Sequence, residues 1–383
     1  MNVVRNRQVR LVKRPNGTPT PDIFSPTATE VASLAHGQFL VRNLYLSMDP
    51  ALVSRMRDED NYAESVVVGD VMHAYGIGQV MESRLGGVKK GDVLLGRFDM
   101  QEYAVCDDAT VRTKINVGLA QPSWYLGAVG VTGATAYFGL TDIGKPQAGE
   151  TVVISSGGSS VGATAAQLAK MRGCRTVAIV STDHKAERTK RRFGYDAAVS
   201  YRNKSVEALS ADLHAACPKG VDVYFDNTGG DISEALLDLY NEFARIVVCG
   251  RVATSHLADT KLDRGRRDQN VILTKRIRKQ GFVLLDYKRR MPEATLQLAK
   301  WVKQGRITLD EDVLEGIEEA PNAFFRMLEG RNRGKQLVRL AELDESLLDG
   351  SARVGRLLTS RLFPTARLAH AVGKRAAAQL SRR

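Results

Sequence analysis

The segment Thr151–Gly173, TVVISSGGSSVGATAAQLAKMRG, constrains this chain more than any other: an apolar run passes through Gly157, Gly158 and Gly162 into a helix-forming stretch that begins near Ser160. Strand, tight turn and helix in that order open a βαβ unit. Glycines without Cβ let the backbone approach a pyrophosphate, and the free N–H groups and dipole at the helix N-terminus favour its negative charge. The spacing is not a literal GxGxxG, so by itself the turn also fits an ordinary glycine turn in an α/β sheet.

The surrounding pattern decides the fold class. Further apolar runs, RTVAIVS, VDVYFDN and ARIVVCG, alternate with helix-length segments at Ser160–Arg172, His184–Phe193 and Val206–Ala216. That alternation predicts a doubly wound, Rossmann-type parallel sheet. From Gln38 to Val105 the text is different, with short strands FLVRNLYLSMD, YGIGQVMES, GDVLLGRF and QEYAVC separated by turns, which reads as a β-rich unit. After a helix at Pro292–Gln304, DVLEGIEEAPNAFFRMLEGRNRGKQLVRL reads as strand, helix and closing strand, and is placed back on that first unit.

The 383 residues suit two cores. The expected division is a β-rich catalytic domain in residues 1–125, a dinucleotide-binding domain in 126–305, a returning part in 306–342 and a basic extension in 343–383. Ligands bind in clefts between such domains.

The end of the second parallel strand speaks to the cofactor. An NAD-selective chain commonly carries an acid there for the ribose hydroxyls; here Ser181 and Thr182 stand in its place, with Lys185 and Arg188 close enough to meet a 2′-phosphate. NADP(H) is therefore expected over NAD(H). A solvated basic helix is the competing explanation, since Lys190, Arg191 and Arg192 follow.

Other classes are disfavoured. Cys106, Cys174, Cys217 and Cys249 are far apart with no CxxC pair, and the six histidines form no ligand-like cluster, so neither disulfides nor a metal is expected. No run approaches the roughly 20 apolar residues of a spanning helix, and the basic N-terminus lacks an apolar stretch behind it; cytoplasmic residence is the expectation. Of the net charge of +12, eight units lie in residues 350–383, leaving +4 for the rest. A nucleic-acid role is thus not expected of the body. The tail, SARVGRLLTSRLFPTARLAHAVGKRAAAQLSRR, has Val354, Leu357 and Leu358 at helical spacing and is compatible with an anionic membrane surface or acidic partner, but a solvated terminal extension is the favoured reading.

Taken in order, LSMDPALVSRM (Leu46–Met56), GVTGATAYFGL (Gly130–Leu140), the SSGGSSVG turn, VDVYFDNTGG (Val221–Gly230), RIVVCGR (Arg245–Arg251) and EGRNRGKQLV (Glu329–Val338) resemble the zinc-independent medium-chain dehydrogenase/reductases. Within them the chain is similar to the leukotriene B4 12-hydroxydehydrogenase/prostaglandin reductase family, with its plant alkenal and bacterial curcumin reductases. The likeness spans roughly residues 3–341 and implies a GroES-like β-rich domain around the Rossmann domain.

It also implies NADP(H) contacts from Thr135, Gly157, Gly158, Val161, Gly162, Ser181, Lys185, Arg188, Tyr201, Asn227, Cys249, Gly250, Phe282 and Asn332, with Lys185 and Tyr201 at the 2′-phosphate and Asn227 on the nicotinamide side. The implied reaction is hydride transfer to the β-carbon of an α,β-unsaturated aldehyde or ketone, in a homodimer. Three departures touch the site: DPALV replaces the usual DPYMR, Ser255 replaces a tyrosine, and Ser159 replaces a turn glycine. Tyr62 is left as the candidate polar contact to substrate. Quinone reduction, and cofactor-dependent regulation without turnover, are the alternatives.

Overall fold

The computed structural model describes residues 4–57, 64–254, 257 and 263–349. The chain opens with the strands β1 (Arg5–Leu11), β2 (Phe24–Glu30) and β3 (Phe39–Ser47), a short helix α1 (Leu52–Arg55), and then β4 (Tyr75–Ser83), β5 (Val93–Arg97), β6 (Tyr103–Cys106) and β7 (Val111–Lys114). Helix α2 (Val131–Phe138) leads into the alternating part: β8 (Thr151–Ser155), α3 (Ser160–Met171), β9 (Arg175–Val180), α4 (Asp183–Phe193), β10 (Ala197–Ser200), α5 (Val206–Ala216), β11 (Val221–Asp226) and α6 (Asp231–Glu234). It continues through β12 (Tyr240–Val248), α7 (Gln269–Lys275), β13 (Arg278–Gly281) and α8 (Met291–Lys303), before β14 (Glu311–Glu315), α9 (Ala320–Leu328) and β15 (Lys335–Arg339).

Six strands form one parallel sheet in the order β10-β9-β8-β11-β12-β13. This is the doubly wound order, with its switch point between β8 and β11. All five residues of β8 are buried, because helices cover both faces, and a continuous apolar run is what such a strand needs. The last strand, β13, escapes a reading of hydrophobic pattern. Its sequence RKQG is exposed throughout, and pairing with β12 from Arg245↔Arg278 to Val248↔Gly281 makes it a strand.

The second sheet runs β14-β15-β3-β4-β5-β7, with β6 also paired to β3. The returning segment is stitched into it: β15 lies antiparallel to β3 at Leu337↔Ser47 and Val338↔Leu46, and β14 lies parallel to β15. Helix α9 buries Phe324 and Phe325 against Phe24 of β2, with ring centroids 5.7 and 5.9 Å away. One apolar core joins the two sheets, with Leu44, Ile77 and Val93 in the same cluster as Phe138, Val152 and Ile154.

The extension begins differently from the expectation of a helical or solvated segment. The fully buried Gln79 side chain donates to the Asp344 carbonyl (2.9 Å) and accepts from its N–H (3.0 Å), and Leu348 is buried in the main core. Residues 344–348 are therefore docked on the β-rich sheet. A five-residue segment carries too little periodicity to announce this. Residues 350–383, on which the membrane or acidic-partner expectation rests, lie outside the described residues.

Candidate cofactor crevice at the switch point of the parallel sheet

Strand β8 ends at Ser155 and the chain turns through Ser156, whose φ of +51° puts a non-glycine residue in the left-handed region. The turn then packs too closely for side chains: a Cβ on Gly157 would lie 2.6 Å from the Ala178 Cβ, and one on Gly162 would lie 2.4 Å from the Ser156 carbonyl oxygen. Ser159 has ordinary extended φ and caps α3, its hydroxyl accepting from the Gly162 N–H at 3.1 Å. The serine thus supplies a cap without closing the turn. Val161 is half-buried in the first turn of the same helix.

Across the switch point, Asn227 is buried at the end of β11 and donates from Nδ2 to the Ser155 carbonyl at 2.7 Å, while its own N–H donates to Ser155 Oγ at 2.8 Å. The neighbouring Asp226 Oδ1 accepts from the Thr228 and Gly229 N–H groups, which shapes the loop that follows. Cys249 and Gly250 hang their N–H groups on the Asp226 carbonyl, so the end of β12 is drawn to the same place. Burial, reinforced by the charge of Asp226, pushes the Cys249 thiol up to about 12. That direction favours the neutral thiol over the thiolate.

Phe282, beyond β13, is half-buried near α2: a Cβ on Gly139 would lie 3.1 Å from its ring. Thr135 of α2 commits its hydroxyl to the Val131 carbonyl at 2.8 Å. The N-termini of α2 and α3 are tied by Thr132 and Ser160, whose hydroxyls are 2.6 Å apart.

A second group of residues sits at the end of β9. Ser181 is buried, Thr182 caps α4 through the Lys185 N–H, and Asp183 is hydrogen-bonded by Ser200. Lys185 Nζ and Ser181 Oγ lie 3.5 and 3.8 Å from the point that a Cβ on Gly330 would occupy. Gly330 belongs to the loop ahead of β15, in which Asn332 donates from Nδ2 to the Gly334 carbonyl at 2.8 Å. Two units of the chain therefore meet around the Lys185 ammonium.

Burial, with Arg202 and Arg188 adding repulsion, lowers the Lys185 pKa, and among the described residues no carboxylate pairs with it. A half-buried cation among cations is the signature of a site that receives an anion. Tyr201, its phenol pKa raised by burial, borders this group. Arg202 is the member that sequence reading missed; its guanidinium reaches the Glu329 carbonyl at 3.4 Å, and only its place directly after Tyr201 hinted at it. Arg188 is held elsewhere, in a largely shielded ion pair with Asp310 ahead of β14.

Of the remaining departures, the DPALV segment lies on the β-rich side. Ala51 is exposed at the start of α1, whereas Asp49 beside it is paired with the buried Lys335 Nζ and so fastens β3 to β15. Tyr62 and Ser255 lie outside the described residues.

The doubly wound sheet, the glycine turn at its switch point and the cationic group beyond β9 define the protein as a nicotinamide-nucleotide oxidoreductase by class. Residues 7–114 match the N-terminal domain of oxidoreductases, and residues 160–301 match the zinc-binding dehydrogenase domain. The second description names zinc, yet among the described residues no group of three or more His, Cys, Asp or Glu is placed to hold a metal ion.

Similarity extends over whole proteins. The chain is 39% identical to a putative NADP-dependent oxidoreductase of Bacillus subtilis, covering 88% of this chain and 98% of that one. It is 37% identical to the NADPH-dependent curcumin reductase of Escherichia coli, covering 88% and 97%. The solved structure of CurA from Vibrio vulnificus in complex with NADPH matches with a TM-score of 0.80 and 34% identity, over 88% of this chain and 99% of that one. The chain belongs to the zinc-independent medium-chain dehydrogenase/reductase family of curcumin, alkenal and prostaglandin reductases.

Proposed function

We propose that the protein is an NADPH-dependent reductase of activated carbon–carbon double bonds in α,β-unsaturated ketones or aldehydes. The observation that carries the reading is the unpaired Lys185 ammonium, set among Ser181, Tyr201 and Arg202 beside Gly330, in a chain whose relatives are named for NADPH-dependent reduction of curcumin and 2-alkenals.

In this reading the N-terminus of α3, with Gly157, Gly158, Val161 and Gly162, holds the pyrophosphate. Lys185, Tyr201 and Arg202 hold the 2′-phosphate, and Arg188 contributes its charge from the Asp310 pair. Thr135, Asn227, Cys249, Gly250 and Phe282 border the nicotinamide, and Asn332 closes the loop over the ribose. When bound, the cofactor supplies hydride to the β-carbon of the acceptor. The protein's share is positioning and exclusion of water: Asn227, its Nδ2 held by Ser155, presents Oδ1 as a fixed acceptor for the carboxamide. The neutral Cys249 thiol and the Phe282 ring give the pocket an apolar wall.

Tyr62 stays the candidate contact to the acceptor. With a β-rich domain in residues 1–125 and 306–342 and a dinucleotide-binding domain in 126–305, the acceptor would lie in the cleft between them. We also propose a cytoplasmic homodimer. Its support is the open edge of β13 with exposed Leu273, Val283 and Leu285 nearby, and four cysteines that are all free thiols. No helix among the described residues is long and apolar enough to cross a membrane.

The test is NADPH oxidation with a panel of enals, enones and quinones, NADH being the control donor. Turnover of enones with NADPH, at rates well above those with quinones, is expected. Thermal stabilisation by NADPH with no acceptor consumed would sink the reductase reading and favour a cofactor-dependent regulator.

A further inference from the structure

Glu311, the first residue of β14, carries a carboxyl group with no part in the crevice as described. Its Oε2 accepts from Ser123 Oγ at 3.1 Å, while Oε1 is sealed from solvent and has no hydrogen-bond partner. The carboxyl borders a small cavity shared with Gly127, Ser159, Ser160, Thr164 and Lys335, directly behind the first turn of α3. A Cβ on Gly127 would lie 3.9 Å from Glu311 Oε1 and 4.0 Å from Ser160 Oγ, so the unpaired oxygen is no further than about 8 Å from the helix N-terminus that faces the pyrophosphate.

The charged and titratable groups around it are all engaged with others. Lys335 of β15 gives its Nζ to Asp49 and the Met48 carbonyl. Asp310 is taken by Arg188 and Arg192 of α4. Tyr45 of β3 faces Arg339. The α2–α3 side offers only the hydroxyls of Thr132, Ser160 and Thr164. Burial accordingly pushes the Glu311 carboxyl up to about 7, with the Ser123 hydrogen bond and Lys335 opposing.

We propose that Glu311 is the proton partner of the cofactor: binding of NADPH at the α3 N-terminus draws one proton from solution onto the Glu311 carboxylate, which becomes a neutral carboxylic acid. The inference rests on NADPH occupying that terminus. Its physical basis is simple electrostatics. In the free protein the positive end of α3 favours ionised Glu311; phosphate groups cancel that field and add like charge, so the proton is held more tightly. Linkage then requires NADPH affinity to fall as pH rises above neutrality, by at most about tenfold per pH unit.

The experiment is calorimetric titration of the full chain with NADPH at about pH 8 in two buffers of different ionisation enthalpy, where the phosphates are already ionised and contribute no protons of their own. Wild type is expected to take up a large fraction of one proton, and Glu311→Gln none, with affinity retained and no longer falling with pH. Ser123→Ala removes the donor that stabilises the carboxylate, so the pH at which uptake is half-complete should move upward. Equal uptake by wild type and Glu311→Gln, or none by wild type, overturns the proposal. Should Glu311→Gln fail to fold, an unmoved uptake profile in folded Ser123→Ala overturns it as well. Absence of any NADPH binding by wild type refutes the cofactor reading itself, which the heats distinguish from binding without uptake.

Discussion

Replacing Lys185 by alanine separates a cofactor site from a merely basic helix. In the free protein the ammonium is half-buried, repelled by Arg188 and Arg202, and matched by no carboxylate among the described residues, so removing it relieves repulsion and should not lower the melting temperature. Against NADPH the balance reverses. A charge-assisted hydrogen bond to phosphate contributes roughly 1.5–3 kcal/mol, and each 1.4 kcal/mol is about tenfold in Kd, so Lys185→Ala should weaken NADPH binding by about 10- to 150-fold. NADH lacks the phosphate and should bind within about twofold of wild type. The assay is a fluorescence titration with both nucleotides, run beside thermal melts of the free proteins. Equal losses for NADPH and NADH would refute the assignment, since they would place Lys185 at a part common to both. A lower melting temperature without any change in NADPH affinity would show a structural lysine instead.

Three further outcomes follow from particular contacts. Gly157→Ala puts a methyl 2.6 Å from the Ala178 Cβ and 3.0 Å from Tyr195 Oη; overpacking of that kind costs about 1–3 kcal/mol, read as a lower denaturation midpoint together with weaker binding of both nucleotides. The Glu311 pKa, raised by folding from 4.5 to about 7, means that stability is fully present below the unfolded value and is lost as pH rises through about 7; melts of Glu311→Gln should be flatter across that window, and an unchanged slope would count against burial as the cause. Burial holds the thiols of Cys106 and Cys249 up to about 12 and those of Cys174 and Cys217 up to about 11, so all four should resist iodoacetamide near pH 8 until the chain is unfolded; rapid labelling of one, read by mass, would contradict its enclosure.

The parallel sheet was readable because its strands carry continuous apolar runs, and the returning segment because VLEGIEEAPNAFFRML switches from a strand pattern to the 3.6-residue spacing that buries Phe324 and Phe325. What escaped has a physical reason in each case. Strand β13 is charged and exposed, and only backbone pairing with β12 makes it a strand. Residues 344–348 dock through the buried glutamine of β4 and the core contact of Leu348, partners remote in sequence. Position alone singles out Ser181 and Lys185 as candidates, whereas the pairing of Arg188 with Asp310 depends on where the returning segment lands, which no local pattern specifies.

That landing also explains how cofactor and acceptor sides can vary separately. The stretch Thr308–Glu311 fastens the two sheets: Thr308 exchanges two hydrogen bonds with the Gln167 side chain of α3, Asp310 binds Arg188 and Arg192 of α4, and Glu311 meets Ser123. Lys335 and Asp49 add a further tie within the β-rich sheet. None of these groups is Ala51, Tyr62 or Ser255. On the proposed reading, the ties that hold the two sheets together therefore lie apart from Ala51. On this argument Ala51→Tyr should change which acceptors are reduced, and their KM, while the Kd for NADPH stays within about twofold; a large loss of NADPH affinity would show that the two sides are coupled after all.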